Sequence, residues 1–175
     1  MEAQDLQRWL EDHVQEIFQF MDYEATIESD EQLAVTLGYW LGDENWREQT
    51  DHRFVHLGID GTGSQVAAWM RPEEDGPPPI VFFGSEGGVG VLTATPLNWA
   101  LLIAHAPWLN EYPSDGGPAR AVALDDVDDD GAEALADYRD AVTERFGELP
   151  SFDDLTSDID DLNEAFEQWV SDIVG

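Results

Sequence analysis

The chain has no cysteine and no lysine. Without a thiol, neither a disulfide framework nor a thiolate metal site can be built, and a reducing compartment is the natural setting. Without lysine, all seven basic side chains are arginine, set against 39 aspartates and glutamates for a formal net charge of −32. That imbalance repels nucleic acid and anionic membranes and speeds encounter with basic partners. Direct DNA or RNA binding is therefore disfavoured, whereas a basic protein such as a nuclease is a natural partner. Acid excess also occurs as a solvation habit of salt-adapted proteins, and composition alone does not separate the two. Long apolar runs are missing too, since nothing approaches the roughly 20 residues of a membrane-spanning helix. The first residues, MEAQDLQRWLEDH, lack the basic and apolar regions of a secretory signal, so a cytoplasmic protein without membrane contact is expected.

What is present fits one domain over residues 1–175, a length that buries roughly 70% of the unfolded surface. Leu6, Leu10, Val14, Ile17 and Phe18 recur at helical spacing and predict an amphipathic helix over 5–21. A second is predicted over 29–42, capped by Ser29 or Asp30. From Arg53 the period changes to two: Val55, Leu57 and Ile59 alternate with Phe54, His56 and Gly58, and a second strand follows from Val66 to Met70. Prolines 77–79 force a loop, after which IVFFG and GVGVLTA predict two more strands around a glycine-rich turn. Thr95 caps and Pro96 opens an apolar helix, PLNWALLIAHA, expected to lie buried on the sheet. Residues 132–146 predict a helix ended by Gly147, and a last helix places Leu162, Phe166, Trp169 and Ile173 on one face with Thr156 or Ser157 as its cap. The expected class is α+β, an antiparallel-rich sheet of about four to six strands packed with helices at both ends of the chain.

Three places invite a chemical reading. Gly58 to Ser64, GIDGTGS, resembles the first phosphate turn of the actin and sugar-kinase superfamily. That architecture needs a much longer chain with a second phosphate turn, and the same small residues suit a tight hairpin, which is the favoured reading. Asp126, Asp128 and Asp130 alternate before Gly131, with Asp137 at the twelfth position, the ligand rhythm of an EF-hand-like calcium loop. Glu133 stands where such a loop wants an apolar residue, and the twelfth ligand is not the usual glutamate, so calcium is a weak possibility and no cofactor is expected. His13, His52, His56 and His105 form no recognisable pair and read as structural. No nucleophile elbow or arginine clamp is present, and the chain reads as non-enzymatic. Candidate partner contacts are Glu86, the one acid between Asp75 and Glu111, in a turn at the sheet rim; Trp46 and Trp108, in loops beside polar residues; and Glu111 and Asp115.

The ordered pattern from Phe54 to Ile103 resembles the SUKH superfamily, or SMI1/KNR4 fold. It consists of a strand into IDGTG, a further strand, a proline-rich break, PIVFFGSEGG, and VLTATPLNWALLIA. Asp60, Gly61 and Gly63 match the family's hairpin, Ile80 to Phe83 its central strand, and Trp99 the aromatic position of its helix. The family's usual amino-terminal leucine-proline and asparagine-glycine turn are absent, and residues 110–175 form an acidic helical extension outside its pattern. The resemblance implies a non-catalytic binding module, of the bacterial immunity type that silences a toxin by stoichiometric binding. A regulatory or housekeeping interaction protein of the same fold is the alternative, and a metal-dependent protein using the Asp126–Asp137 loop a second.

Overall fold

Alternating apolar residues in consecutive segments dictate a sheet, and the computed structural model shows both of its faces covered. It describes residues 1–13, 23–25, 37, 50, 53–71, 74–123 and 129–174. Strands β1 (Tyr23–Glu24), β2 (Phe54–Asp60), β3 (Gln65–Trp69), β4 (Ile80–Phe83) and β5 (Val89–Thr93) lie antiparallel in that spatial order. The α+β expectation, with helices before and after an antiparallel sheet, is met. On β3 and β4 the side chains alternate strictly: Val66, Ala68, Ile80 and Phe82 join one apolar cluster, and Ala67, Trp69, Val81 and Phe83 the other. With both faces buried, the strands read as continuous apolar runs.

Strand β2 departs from the expected alternation. Its register slips between His56, opposite Ala67, and Gly58, opposite Val66. The extra residue is a β-bulge, and beyond it Ile59 pairs with Gln65 instead of continuing the face of Val55 and Leu57.

The first face is covered by α1 (Ala3–His13), which buries Ala3, Leu6 and Leu10, and by α2 (Pro96–Ile103), which buries Trp99 to Ile103. Thr95 caps α2 as expected, its hydroxyl accepting from the Asn98 N–H at 3.0 Å, with Pro96 in the first turn. The helix stops at Ile103, short of the expected Ala106, because the next N–H groups bond three residues back and Ala106 turns to φ +49. Helix α3 (Asp129–Phe146) adds Leu135, Tyr138 and Val142, and the short α4 (Phe152–Leu155) adds Leu155. The hydroxyls of Tyr23 and Tyr138 donate to the carbonyls of Leu57 at 2.7 Å and Ala100 at 2.9 Å. Burial raises both phenols far above their ordinary pKa.

The second face meets α5 (Asp160–Val174), whose Asn163, Phe166, Val170 and Ile173 point inward at spacings of three and four. Phe54, Trp69, Phe83, Phe166 and Trp169 form an aromatic cluster here, with ring centroids 5.0 to 6.1 Å apart for the pairs in contact. The segment after residue 110 is therefore not separate from the core, since α5 walls one face of it. It is not wholly helical either: β6 (Trp108–Asn110) and β7 (Arg120–Val122) pair as a ribbon. The Ala119 N–H donates to the Val89 carbonyl at 2.8 Å, which satisfies part of the exposed edge of β5.

The caps of the last helices differ from expectation. Ser151 caps α4 by accepting from the Asp154 N–H at 3.2 Å, and Thr156 ends that helix rather than starting the next. Asp158 then takes φ +57, and α5 opens with the Asn163 N–H on the Ile159 carbonyl at 2.8 Å. The helix expected over 132–146 begins earlier, at Asp129, and ends as expected at Phe146, with Gly147 just past it at φ +93. Residues 14–21 of the first expected helix, and all of 29–42 except the buried Leu37, lie outside the described residues. Among the described residues, no helix is long and apolar enough to cross a membrane.

Candidate functional site

In an antiparallel meander, alternate turns share an end of the sheet, so the β2–β3 and β4–β5 turns lie side by side. The first is the GIDGTGS stretch, and it is a hairpin turn. Asp60 Oδ1 accepts from the Thr62 N–H at 2.9 Å, the Thr62 hydroxyl at 2.6 Å and the Ser64 N–H at 2.8 Å. Gly63 takes φ +89, which L side chains resist, to close the loop. The N–H groups that a phosphate turn would offer outward are thus turned onto Asp60. A polar ladder ties this turn to its neighbour: the Thr62 and Ser64 hydroxyls lie 2.8 Å apart, the Ser85 N–H donates to Ser64 Oγ at 3.1 Å, and Ser85 Oγ donates to Thr62 Oγ1 at 3.2 Å.

The ribbon supplies the third wall. Glu111, just past β6, accepts on Oε1 from the N–H groups of Glu86 at 2.8 Å and Gly88 at 2.9 Å. The Tyr112 hydroxyl donates to the Glu86 carbonyl at 2.5 Å. Glycine is required at 88, where a Cβ would collide with the Glu111 carbonyl, and a Cβ at 84 would push the Glu111 side chain aside. The result is a cleft of about 240 Å³ whose lining includes Asp60, Thr62, Trp108, Asn110, Glu111 and Tyr112.

Of the sequence-predicted partner residues, Glu86, Trp108 and Glu111 come together at this corner. Trp108 begins β6 instead of lying in a loop, and it is 53% exposed. Glu86 is exposed as well, but Glu111 is half-buried, its Oε1 committed to the turn. Asp115 lies beyond them, in the loop joining β6 and β7, where the Gly117 N–H and then Arg120 hold its carboxyl below the ordinary range. Trp46 lies outside the described residues.

Sequence reasoning missed Tyr112, 57% exposed, and the Thr62–Ser64–Ser85 ladder. The Tyr112 phenol is raised above its ordinary value, first by loss of surrounding water and then by the charges of Glu111 and Glu86. The signal was legible in part, since Asp-x-Thr-x-Ser is an Asx-turn pattern.

The calcium-loop residues fall only partly within the described residues. Residues 129 onward are helical, and positions 130 and 137 stand on α3 about 10 Å apart along its axis. Asp126 and Asp128 lie outside the described residues, among which no cluster of three His, Asp or Glu is placed to hold a metal. The described histidines have structural surroundings. His105 Nε2 bonds the Pro150 carbonyl at 2.9 Å, and His13 stacks on Trp9 with centroids 3.7 Å apart. His56 is buried on β2, its pKa lowered by burial.

Comparison with known proteins finds no matching family, no matching curated protein and no matching solved structure.

Proposed function

We propose that this chain is a non-catalytic binding module that neutralises a basic protein by stoichiometric association, a nuclease toxin being the partner its charge suits best. The observation that carries this reading is the corner where exposed Trp108 and Tyr112 stand with Glu86 and Glu111. Exposed aromatics inside a charged rim are the usual composition of an interface hot spot. The overall charge of −32 adds long-range steering toward a positive surface. A nuclease is positive where it meets phosphate, and a carboxylate-rich surface competes there. The resemblance of residues 54–103 to SUKH proteins supports the same reading.

A second reading, a regulatory or housekeeping binding protein whose acidity serves solvation, draws on the acids spread over outer faces elsewhere. Glu133, Asp137, Asp140 and Glu144 on α3, and Asp161, Glu164 and Glu167 on α5, are all exposed.

The test is capture of partners from a lysate of the cells that encode the protein, at about 0.15 M salt, where the Debye length is ~8 Å, and at about 1 M, where it is ~3 Å. One basic protein recovered in equimolar ratio at the lower salt, and released at the higher, is the expected result. A chain that stays folded and captures nothing basic ends the neutralising reading. Folding that itself requires high salt favours the second.

A further inference from the structure

The cleft between the Asp60 turn and β6 has a chemistry specific enough to name its occupant. Asp60 is only 9% exposed, and the three hydrogen bonds that its carboxylate accepts from described residues all end on Oδ1. Among the described residues nothing donates to Oδ2, although Asp60 lines the cleft. An occupant that closes the cleft strips the water left on that oxygen, which is costly unless the occupant brings a donor. Trp108 and Tyr112, the two large apolar side chains exposed among the described residues, line the same cleft, and among the described residues no basic side chain does.

Each alternative occupant meets an objection. An anion meets Asp60 and Glu111, and an apolar side chain leaves Oδ2 dry and unpaired. A drug-sized molecule needs roughly 300 to 1,000 Å³, more than the cleft's 240 Å³. An ammonium group is strongly hydrated and carries no planar face. A guanidinium stacks on aromatic rings, gives up its water more readily, and donates a fork of N–H groups to a carboxylate.

We infer that this cleft is a socket for one arginine side chain of the protein partner, its guanidinium donating to Asp60 Oδ2 while lying against Trp108 and Tyr112. The socket rests on the binding-module reading and gives that module a point of specificity beyond bulk charge.

The experiment titrates the isotopically labelled full chain with N-acetyl-arginine amide at about 0.15 M salt. Blocked lysine and blocked citrulline, the neutral isostere, are the controls. Arginine is expected to shift the Trp108 indole N–H and the Thr62 and Ser64 amides saturably, lysine more weakly, and citrulline not at all. Asp60→Asn, which keeps the Oδ1 acceptor of the turn, and Trp108→Ala, at an exposed position, should each weaken arginine binding about tenfold. Equal responses to lysine and arginine, or titrations unchanged in both variants, overturn the socket.

Capture separates this from the broader proposal. A partner held equally well by both variants overturns the socket and leaves the module standing. Saturable arginine binding with no basic partner captured leaves the socket and removes the neutralising function.

Discussion

The two faces of the sheet are closed by different means. Across the first, α1 to α4 spread an aliphatic core over Leu57, Val66, Ile80, Phe82 and Leu92, with Trp99 at its centre. Across the second, the described residues supply α5 and Leu37, and the packing is aromatic, Phe166 touching Trp69, Phe83 and Trp169. Buried polar groups follow the same division. The first face hides hydroxyls that end on nearby carbonyls, as Tyr23 and Tyr138 do. The second hides Asn163, whose Oδ1 accepts from the Val91 N–H at 2.6 Å, and His56, opposite Ala67. Among the described residues, one wall is redundant, whereas the other depends on a few contacts, nearly all from one helix.

The largest expected effect comes from removing the centre of each face. Phe166→Ala and Trp99→Ala should each cost about 3 to 5 kcal/mol, because both side chains are fully buried and large. Their local consequences should differ. Native-state hydrogen exchange should show α5 losing protection ahead of the rest in Phe166→Ala, while Trp99→Ala loosens α1, α2 and the sheet together. Identical exchange patterns in the two variants would make the division between the faces one of description only.

Asn163→Ala is next, with an expected cost of about 1 to 3 kcal/mol, since the buried Val91 N–H loses its acceptor. Urea midpoints measure it, with the slope unchanged. A cost below about 0.5 kcal/mol would mean that the Val91 N–H finds another acceptor without it.

How much of this was legible depends on range. The Asp60 hairpin and the start of α2 were readable because each is fixed by neighbours in sequence, Asp60 with Gly63 and Thr95 with Pro96. The inward face of α5 was readable from Phe166 and Ile173, although its cap was not. The φ +57 turn at Asp158 splits off α4, and nothing about an aspartate in an acid-rich stretch announces it. Strands β6 and β7 are too short for a period of two to stand out, so the ribbon read as loop and helix. That concealed most of the site. Trp108 was suspected as a partner contact, and it is exposed, but its meeting with Asp60 depends on where the ribbon docks, a long-range fact. Glu111 illustrates the opposite limit: an acid that looked free for a partner is half consumed by the backbone of the turn beside it.

The smallest effect concerns His56, and its sign follows from burial. Loss of water lowers the imidazole pKa in the folded chain, against hydrogen bonds involving Gln65 and Gly58 that act to raise it. In the unfolded chain the pKa is about 6.5, so between that value and the lower folded one the unfolded state binds a proton that the native state refuses. The stability this group contributes is complete above the unfolded value and falls as pH drops toward the folded one. The 39 carboxylates act in the opposite direction, because acid relieves their mutual repulsion. The measurable quantity is therefore a difference. Melting temperatures of the native chain and of His56→Gln, taken from pH 7.5 to 5.0 at one salt concentration, share the carboxylate contribution, and it cancels. The native chain should lose ground to the variant as pH falls. A gap that stays constant, or moves in favour of the native chain, would mean that the α5 face accepts a charged imidazole, and the second face would then be wetter than its packing implies.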